Sequence, residues 1–326
     1  MRPLLLAVSG GVVSALLYLS VLTGSLGALI LAYMAPLPLL MLGLSGGLAP
    51  VLIGGGAATL GVAAAADPMA ALAFAVANLL PAAVVVRQAL LARRTGPSGT
   101  GADTQVEWYP PGLLVMVLAG LGMVLVALSA LLYLGEPGGI EGRARDFLAS
   151  SFGELVAPGT PGPPGQAGLP EAGAVADGLA RVLPGIVVIS WLTMMIVNGV
   201  LAQGVLMRFG LNRRPPMRMA DLALPPAAPV ALAVLGLAAL VLPGTAGYVA
   251  LNAAIIMVVP FFLAGLAVVH AFAQKRGARV PILVAFYFFL LLFQWPIPLV
   301  ICLGVIEQWA GLRRRLAQAG PNQEDK

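Results

Sequence analysis

The sequence predicts an all-α, polytopic integral membrane protein with nine or ten transmembrane or re-entrant helical segments. Three observations carry that expectation. Hydrophobic residues make up 60% of the 326-residue chain and charged residues 10%, with a mean hydropathy of +0.98. A soluble domain carries about 25% charge, so this chain has too few polar residues for a water-facing surface and the bilayer must be its solvent. Apolar runs near or above the roughly 18 residues that mark a membrane span recur along the whole length, and the short alternating segments of a barrel are missing. Finally, the segments outside the runs differ in sign: four are basic and one long loop is acidic.

Residues 1–92 read as a four-span, Gly/Ala-rich bundle with apolar runs at 4–22, 26–43, 47–65 and 69–90. The opening stretch imitates a signal peptide, but it lacks a convincing cleavage site and leads straight into further spans, so it reads as a retained first helix. Ala7, Gly11 and Ala15 form a small-xxx-small ladder, Gly43 and Gly47 a GxxxG step, and Ile53–Gly61 continues the theme. Such spacing lets helix backbones approach closely, either within the chain or against another subunit. Asp67 before Pro68 suits the N-cap and first position of the fourth helix. Asn78 lies within this span, and Pro81 frees a backbone carbonyl one turn upstream.

Residues 93–110 form a linker carrying Arg93 and Arg94, cytoplasmic by the positive-inside rule, and 111–134 is span five. Their junction, Glu107-Trp108-Tyr109-Pro110-Pro111-Gly112, admits two readings. As a collar, the aromatics suit the headgroup layer, the prolines open a helix and Glu107 complements the helix N-terminus. As a site, the same group is a surface shared with a partner.

Residues 135–182 hold six acids against three arginines and are assigned outside. Ile140, Ala144, Phe147, Leu148, Phe152 and Leu155 recur at helical spacing, predicting a short amphipathic helix on the outer face. Ala157–Gly173 is too rich in Pro and Gly for regular structure and reads as a linker.

Residues 183–312 contain runs at 183–206, 228–243, 247–271 and 281–311, followed by a cytoplasmic tail at 313–326. The last run must return to the side it left, since Arg279 and Arg313 flank it, and Gln294-Trp295-Pro296-Ile297-Pro298 breaks it at its midpoint. A tight or re-entrant hairpin fits; one long tilted helix is the alternative. Asn198, Gln203 and Asn252 are uncharged amides inside spans, serving either as interhelical glue or as ligand contacts. His270 reads as a C-terminal cap, and Glu307 is placed to meet an arginine.

No acid or base lies deep in a well-placed span, which argues against an ion-coupled pump. Phosphate-binding, metalloprotease and nucleophile-elbow motifs are absent, and with one His and one Cys the chain offers neither a triad nor a zinc cluster. The expectation is therefore a non-enzyme without cofactor, metal or nucleic-acid partner.

Leu31–Leu44, Glu107–Gly112, Val197–Gln203, Leu263–Phe272 and Leu303–Arg315, taken in order, resemble the alphaproteobacterial branch of the YybS-like bacterial inner-membrane proteins. Ala35–Gly61 and the Ala7/Gly11/Ala15 ladder are more distantly similar to substrate-binding S-components of energy-coupling-factor vitamin transporters, which dock a coupling subunit through such a ladder. The resemblance implies an inner-membrane subunit that captures a small or lipid-like ligand, with Asn78, Asn198, Gln203 and Asn252 as polar contacts. It implies in turn a separate coupling or ATPase module as partner. A non-transporting scaffold of envelope biogenesis is the alternative, with the external helix and arginine-rich loops as its partner surfaces.

Overall fold

The computed structural model describes residues 2–95, 105–156 and 172–318. Helices dominate it, in the order α1 Arg2–Leu19, α2 Leu26–Tyr33, α3 Pro36–Gly46, α4 Leu48–Ala65, α5 Pro68–Phe74 and α6 Leu80–Ala89. A hairpin of β1 Ala92–Thr95 and β2 Gln105–Trp108 follows, then α7 Pro111–Leu132, α8 Gly139–Val156, α9 Ala172–Arg208 and α10 Ala228–Val241. The chain closes with α11 Gly244–Gln274, α12 Arg279–Phe293, α13 Pro296–Ala310 and α14 Leu312–Gln318. Among the described residues, seven helical stretches are long and apolar enough to cross a membrane: 2–23, 26–46, 48–65, 68–89, 111–132, 175–208 and 244–274. Helices α10, α12 and α13 are apolar but shorter. At about 1.5 Å per residue, the 15 residues of α12 or of α13 reach about 22 Å, less than a hydrocarbon core of about 30 Å.

The chain divides into two compact units. The first comprises 1–118 and 191–223. Here α1 lies on α4: Ala7, Gly11, Ser14 and Ala15 are buried, and a side chain at Gly11 would collide with the Gly54 carbonyl. The small-residue ladder is thus occupied by a helix of its own chain. The other face of α1, including Leu5 and Leu16, stays exposed, as a lipid-facing surface should. Asp67 caps α5 as the sequence predicts, its Oδ1 accepting from the amides of Met69 at 2.8 Å and Ala70 at 2.9 Å. A π turn at Ala75–Leu79 then joins α5 to α6. Pro81 has no N–H for the Ala77 carbonyl, and Trp191 Nε1 donates to that carbonyl instead at 2.8 Å.

The second unit comprises 119–190 and 224–326. Its α9 begins eleven residues ahead of the apolar run expected at 183, and Pro184 sits inside it. Pro184 has no N–H to serve the helix there, and two side chains of α11 bond to the backbone around it. Tyr248 Oη donates to the Ala180 carbonyl, which Pro184 cannot serve, at 2.7 Å. Asn252 makes two such bonds: its Oδ1 accepts from Gly185 N at 2.7 Å, and its Nδ2 donates to the Arg181 carbonyl at 3.1 Å. The side-chain amide thus spans the 185 and 181 backbone groups. Proline is tolerated in spans when a neighbouring helix re-satisfies the freed groups in this way.

The amphipathic helix expected at 140–155 forms as α8. Ile140 packs with Ala130 and Tyr248, and Ala144 and Leu148 with Ala180. Phe147, counted in its apolar face, is 56% exposed. The loop expected at Ala157–Gly173 lies outside the described residues except for its last two, which begin α9.

The 281–311 run resolves into two helices, broken at Gln294, the one described non-glycine residue with positive φ, at 54°. Gly265 and Gly304 let α11 and α13 touch backbone to backbone: a side chain at Gly265 would strike the Val300 carbonyl, and one at Gly304 the Phe261 carbonyl. Gly304 lies by Phe261, and Lys275 Nζ reaches the Ala317 carbonyl at 3.3 Å, so α13–α14 runs in the same direction as α11. Helix α12 must therefore return between them, which makes α12–α13 a hairpin. His270, expected as a terminal cap, lies a turn inside α11 and pairs with Tyr287 Oη at 2.8 Å. Glu307 meets its arginine, accepting from Arg313 Nε at 2.8 Å.

Candidate functional site at the arginine-pinned hairpin

The linker expected between spans four and five is a two-stranded antiparallel hairpin where it is described. Arg93 sits directly across from Glu107, and their side chains form an ion pair of 2.8 Å. Both remain largely exposed, at 76% and 56%, so the pair contributes at most about 1 kcal/mol and sets register more than stability. Glu107, expected to complement the N-terminus of α7, is instead engaged across the strands. Tyr109 N extends the ladder by donating to the Leu91 carbonyl at 3.0 Å. Pro110 then ends the pairing, and Pro111 opens α7, where a missing N–H costs no helical bond.

The hairpin is pinned from a distant loop. Helix α9 ends in a Schellman motif, with Gly210 at φ +66°, Gly210 N donating to the Met207 carbonyl and Leu211 N to the Leu206 carbonyl. That turn delivers Arg214, whose carbonyl accepts from Gln203 Nε2 at 2.9 Å and Asn212 Nδ2 at 3.1 Å. Arg214 is buried, 5% exposed as a residue, with no carboxylate partner among the described residues. Nη1 donates to the Ala89 carbonyl at 3.2 Å and Nη2 to the Tyr109 carbonyl at 2.7 Å. Ala89 ends α6, so the cation meets the negative end of a helix dipole as well as two carbonyls. Burial pushes this guanidinium's pKa down from its ordinary value, yet arginine stays charged in proteins.

Beside the hairpin opens a cleft of about 350 Å³, walled by Leu91, Trp108, Tyr109, Pro110 and Leu113, with Arg93 and Glu107 at its rim. Trp108 and Tyr109 are half-buried, each offering an apolar body and a polar tip. Apart from the Arg93–Glu107 pair, the residues lining it are apolar or aromatic. Among the described residues, no three His, Cys, Asp or Glu side chains are grouped to hold a metal.

A profile of the family described as "Predicted membrane protein (DUF2232)" matches residues 12–307. The chain belongs to that family. Neither a curated protein nor a solved structure matches it.

The DUF2232 match covers the four span amides, Ala15 and the Glu107–Tyr109 group but not Ala7 or Gly11, and the structure assigns most of them internal partners. Asn198 Nδ2 donates to the carbonyls of Tyr33 at 2.7 Å and Met194 at 2.8 Å. Its Oδ1 is buried without a hydrogen-bond partner. Gln203 holds the Arg214 loop, and Asn252 splices α9. Asn78 is buried on the π turn, one residue after the carbonyl that Trp191 caps. None of the four amides lines the hairpin cleft. Sequence reasoning missed Arg214, Trp191 and Tyr248. The signal in the sequence that could have found Arg214 is the Pro215-Pro216 pair after it, which marks a fixed turn.

Proposed function

We propose that this DUF2232 chain is a non-catalytic, multi-pass subunit of the bacterial inner membrane that docks a partner protein through the hairpin and its cleft. The observation that carries this reading is the pinning of the hairpin by buried Arg214. A surface held in place by a buried cation 105 residues further along the chain is preorganised, and little ordering entropy is then lost on docking. By linker charge, both termini, the hairpin and the arginine-rich loops face the cytoplasm, and α8 faces outward. The shorter apolar helices then bring the segments that cross or re-enter the bilayer to ten. The YybS-like resemblance at Glu107–Gly112 agrees with a shared surface there.

A photo-cross-linking residue in place of Trp108, compared with one in place of lipid-facing Leu60, tests the proposal in cells. A discrete protein adduct at position 108, absent at position 60 and lost when Arg214→Met loosens the hairpin, is the expected outcome. Lipid adducts alone at both positions would remove the docking role.

Asn198 favours a second reading, an S-component-like subunit that captures a small ligand for a separate ATPase module. Its buried Oδ1 is an open acceptor for a hydroxyl or ammonium donor. Small molecules retained by the purified protein, and lost from Asn198→Leu, would support that reading. Identical retention by both proteins would end it.

A further inference from the structure

The C-terminal end of α11, α13 and α14 enclose a groove of about 510 Å³. Val268, Val269 and Phe272 form one wall, and Leu303, Leu312 and Leu316 the other. Arg315 is the only charged residue in that lining. Further cations gather at the same end. Lys275 ties α11 to α14 through the Ala317 carbonyl at 3.3 Å, Arg276 lies over the Phe272 ring at 4.7 Å, and Arg314 folds beside Gly311. Arg313 is committed to buried Glu307 at 2.8 Å, whereas Arg276, Arg314 and Arg315 have no carboxylate within 4 Å among the described residues. All three are exposed.

An apolar slot with unneutralised arginines at one end has the polarity of an amphiphile with an anionic head. We propose that this groove binds one anionic diacyl phospholipid, an acyl chain lying between α11 and the α13–α14 limb and the phosphate meeting Arg315, flanked by Arg314 and Arg276. Arginine presents a planar fork to phosphate oxygens and loses less hydration than lysine on doing so. A second copy of this chain fits less well, because a two-fold contact through the groove would bring Arg315 toward its own counterpart. The proposal needs only a bilayer and does not depend on partner docking at the hairpin.

Native mass spectrometry of the full chain, released from micelles doped with phosphatidylglycerol or phosphatidylcholine of equal chain length, tests this. One phosphatidylglycerol should be retained about tenfold over phosphatidylcholine. Arg314→Gln with Arg315→Gln, both on the surface, should bring phosphatidylglycerol retention down to that of phosphatidylcholine, whose own retention falls less because its choline offsets the phosphate charge. Val269→Trp, which fills the slot, should lower both. Helical circular dichroism and a monodisperse elution profile confirm folding of each variant. Equal retention of the two lipids by the wild type, or a preference that survives the double substitution, would overturn the proposal. So would a Val269→Trp protein that changes oligomeric state while keeping its phosphatidylglycerol, since the groove would then be a contact between copies.

Discussion

At the scale of single residues, stability in this chain depends on what becomes of carbonyls that proline leaves unserved. Trp191, Tyr248 and Asn252 each lie on a different helical element from the break they close. Interhelical hydrogen bonds in membranes average about 0.6 kcal/mol and reach about 1.7, because the unfolded state in lipid also finds partners. Tyr248→Phe removes one bond and leaves one acceptor unpaired, so it should destabilise by about 1 kcal/mol in a micelle unfolding titration. Asn252→Leu strands the Gly185 N–H and the Arg181 carbonyl together and should cost at least twice as much, about 2–4 kcal/mol. Equal effects would show that Asn252 does not bridge the break. Trp191→Phe should resemble Tyr248→Phe. The prolines were legible in the sequence, and so was the carbonyl that Pro81 frees. Their repair partners were not, because they lie 67 to 114 residues away and only packing brings them near.

At the scale of elements, the hairpin and the α11–α13 crossing depend on different physics. The hairpin is an electrostatic and hydrogen-bonded device. Arg214→Met should raise amide hydrogen exchange across 91–109, and Arg214→Lys should restore little, since one ammonium lacks the fork that spans two carbonyls. Full protection in the Lys variant would mean that charge alone pins the loop. The crossing is steric: Gly265→Val forces apart two backbones in contact and should split α13 from α11, read as faster proteolysis after 274. Gly56→Val, with open space around it, serves as the matched control. Helix identity was largely readable from apolar runs, caps and the 294–298 break. The hairpin was not, because only four residues pair on each strand: Ala92–Thr95 lacks the alternation of a half-buried strand, and Gln105–Trp108 shows it over too few residues to stand out. Two short strands hold together here through a cation that sequence distance conceals.

At the scale of the whole molecule, the composition already required a bilayer, and the family and the seven long apolar helices agree with it. Sidedness is a separate matter, argued from charge alone, and it can be measured. With Cys302→Ser as background, single cysteines replacing Ser98, Gly165 and Gly277 should divide in spheroplasts. The cysteine at 165 should react with an impermeant maleimide at once, and those at 98 and 277 only after lysis. Labelling of 98 with 165 would invert the topology. The short helices α10, α12 and α13 were harder to assign from sequence, since their apolar runs overlap the lengths of spans, buried helices and re-entrant segments alike. The splice in α9 also bears on how the chain is made. Arg181 is synthesised 71 residues before Asn252, and Ala77 114 residues before Trp191. Until that later segment is made, the side chain that closes each broken turn does not yet exist. Order of synthesis thus sets which helices must wait, and a chain stalled before residue 248 would hold α9 open at Pro184.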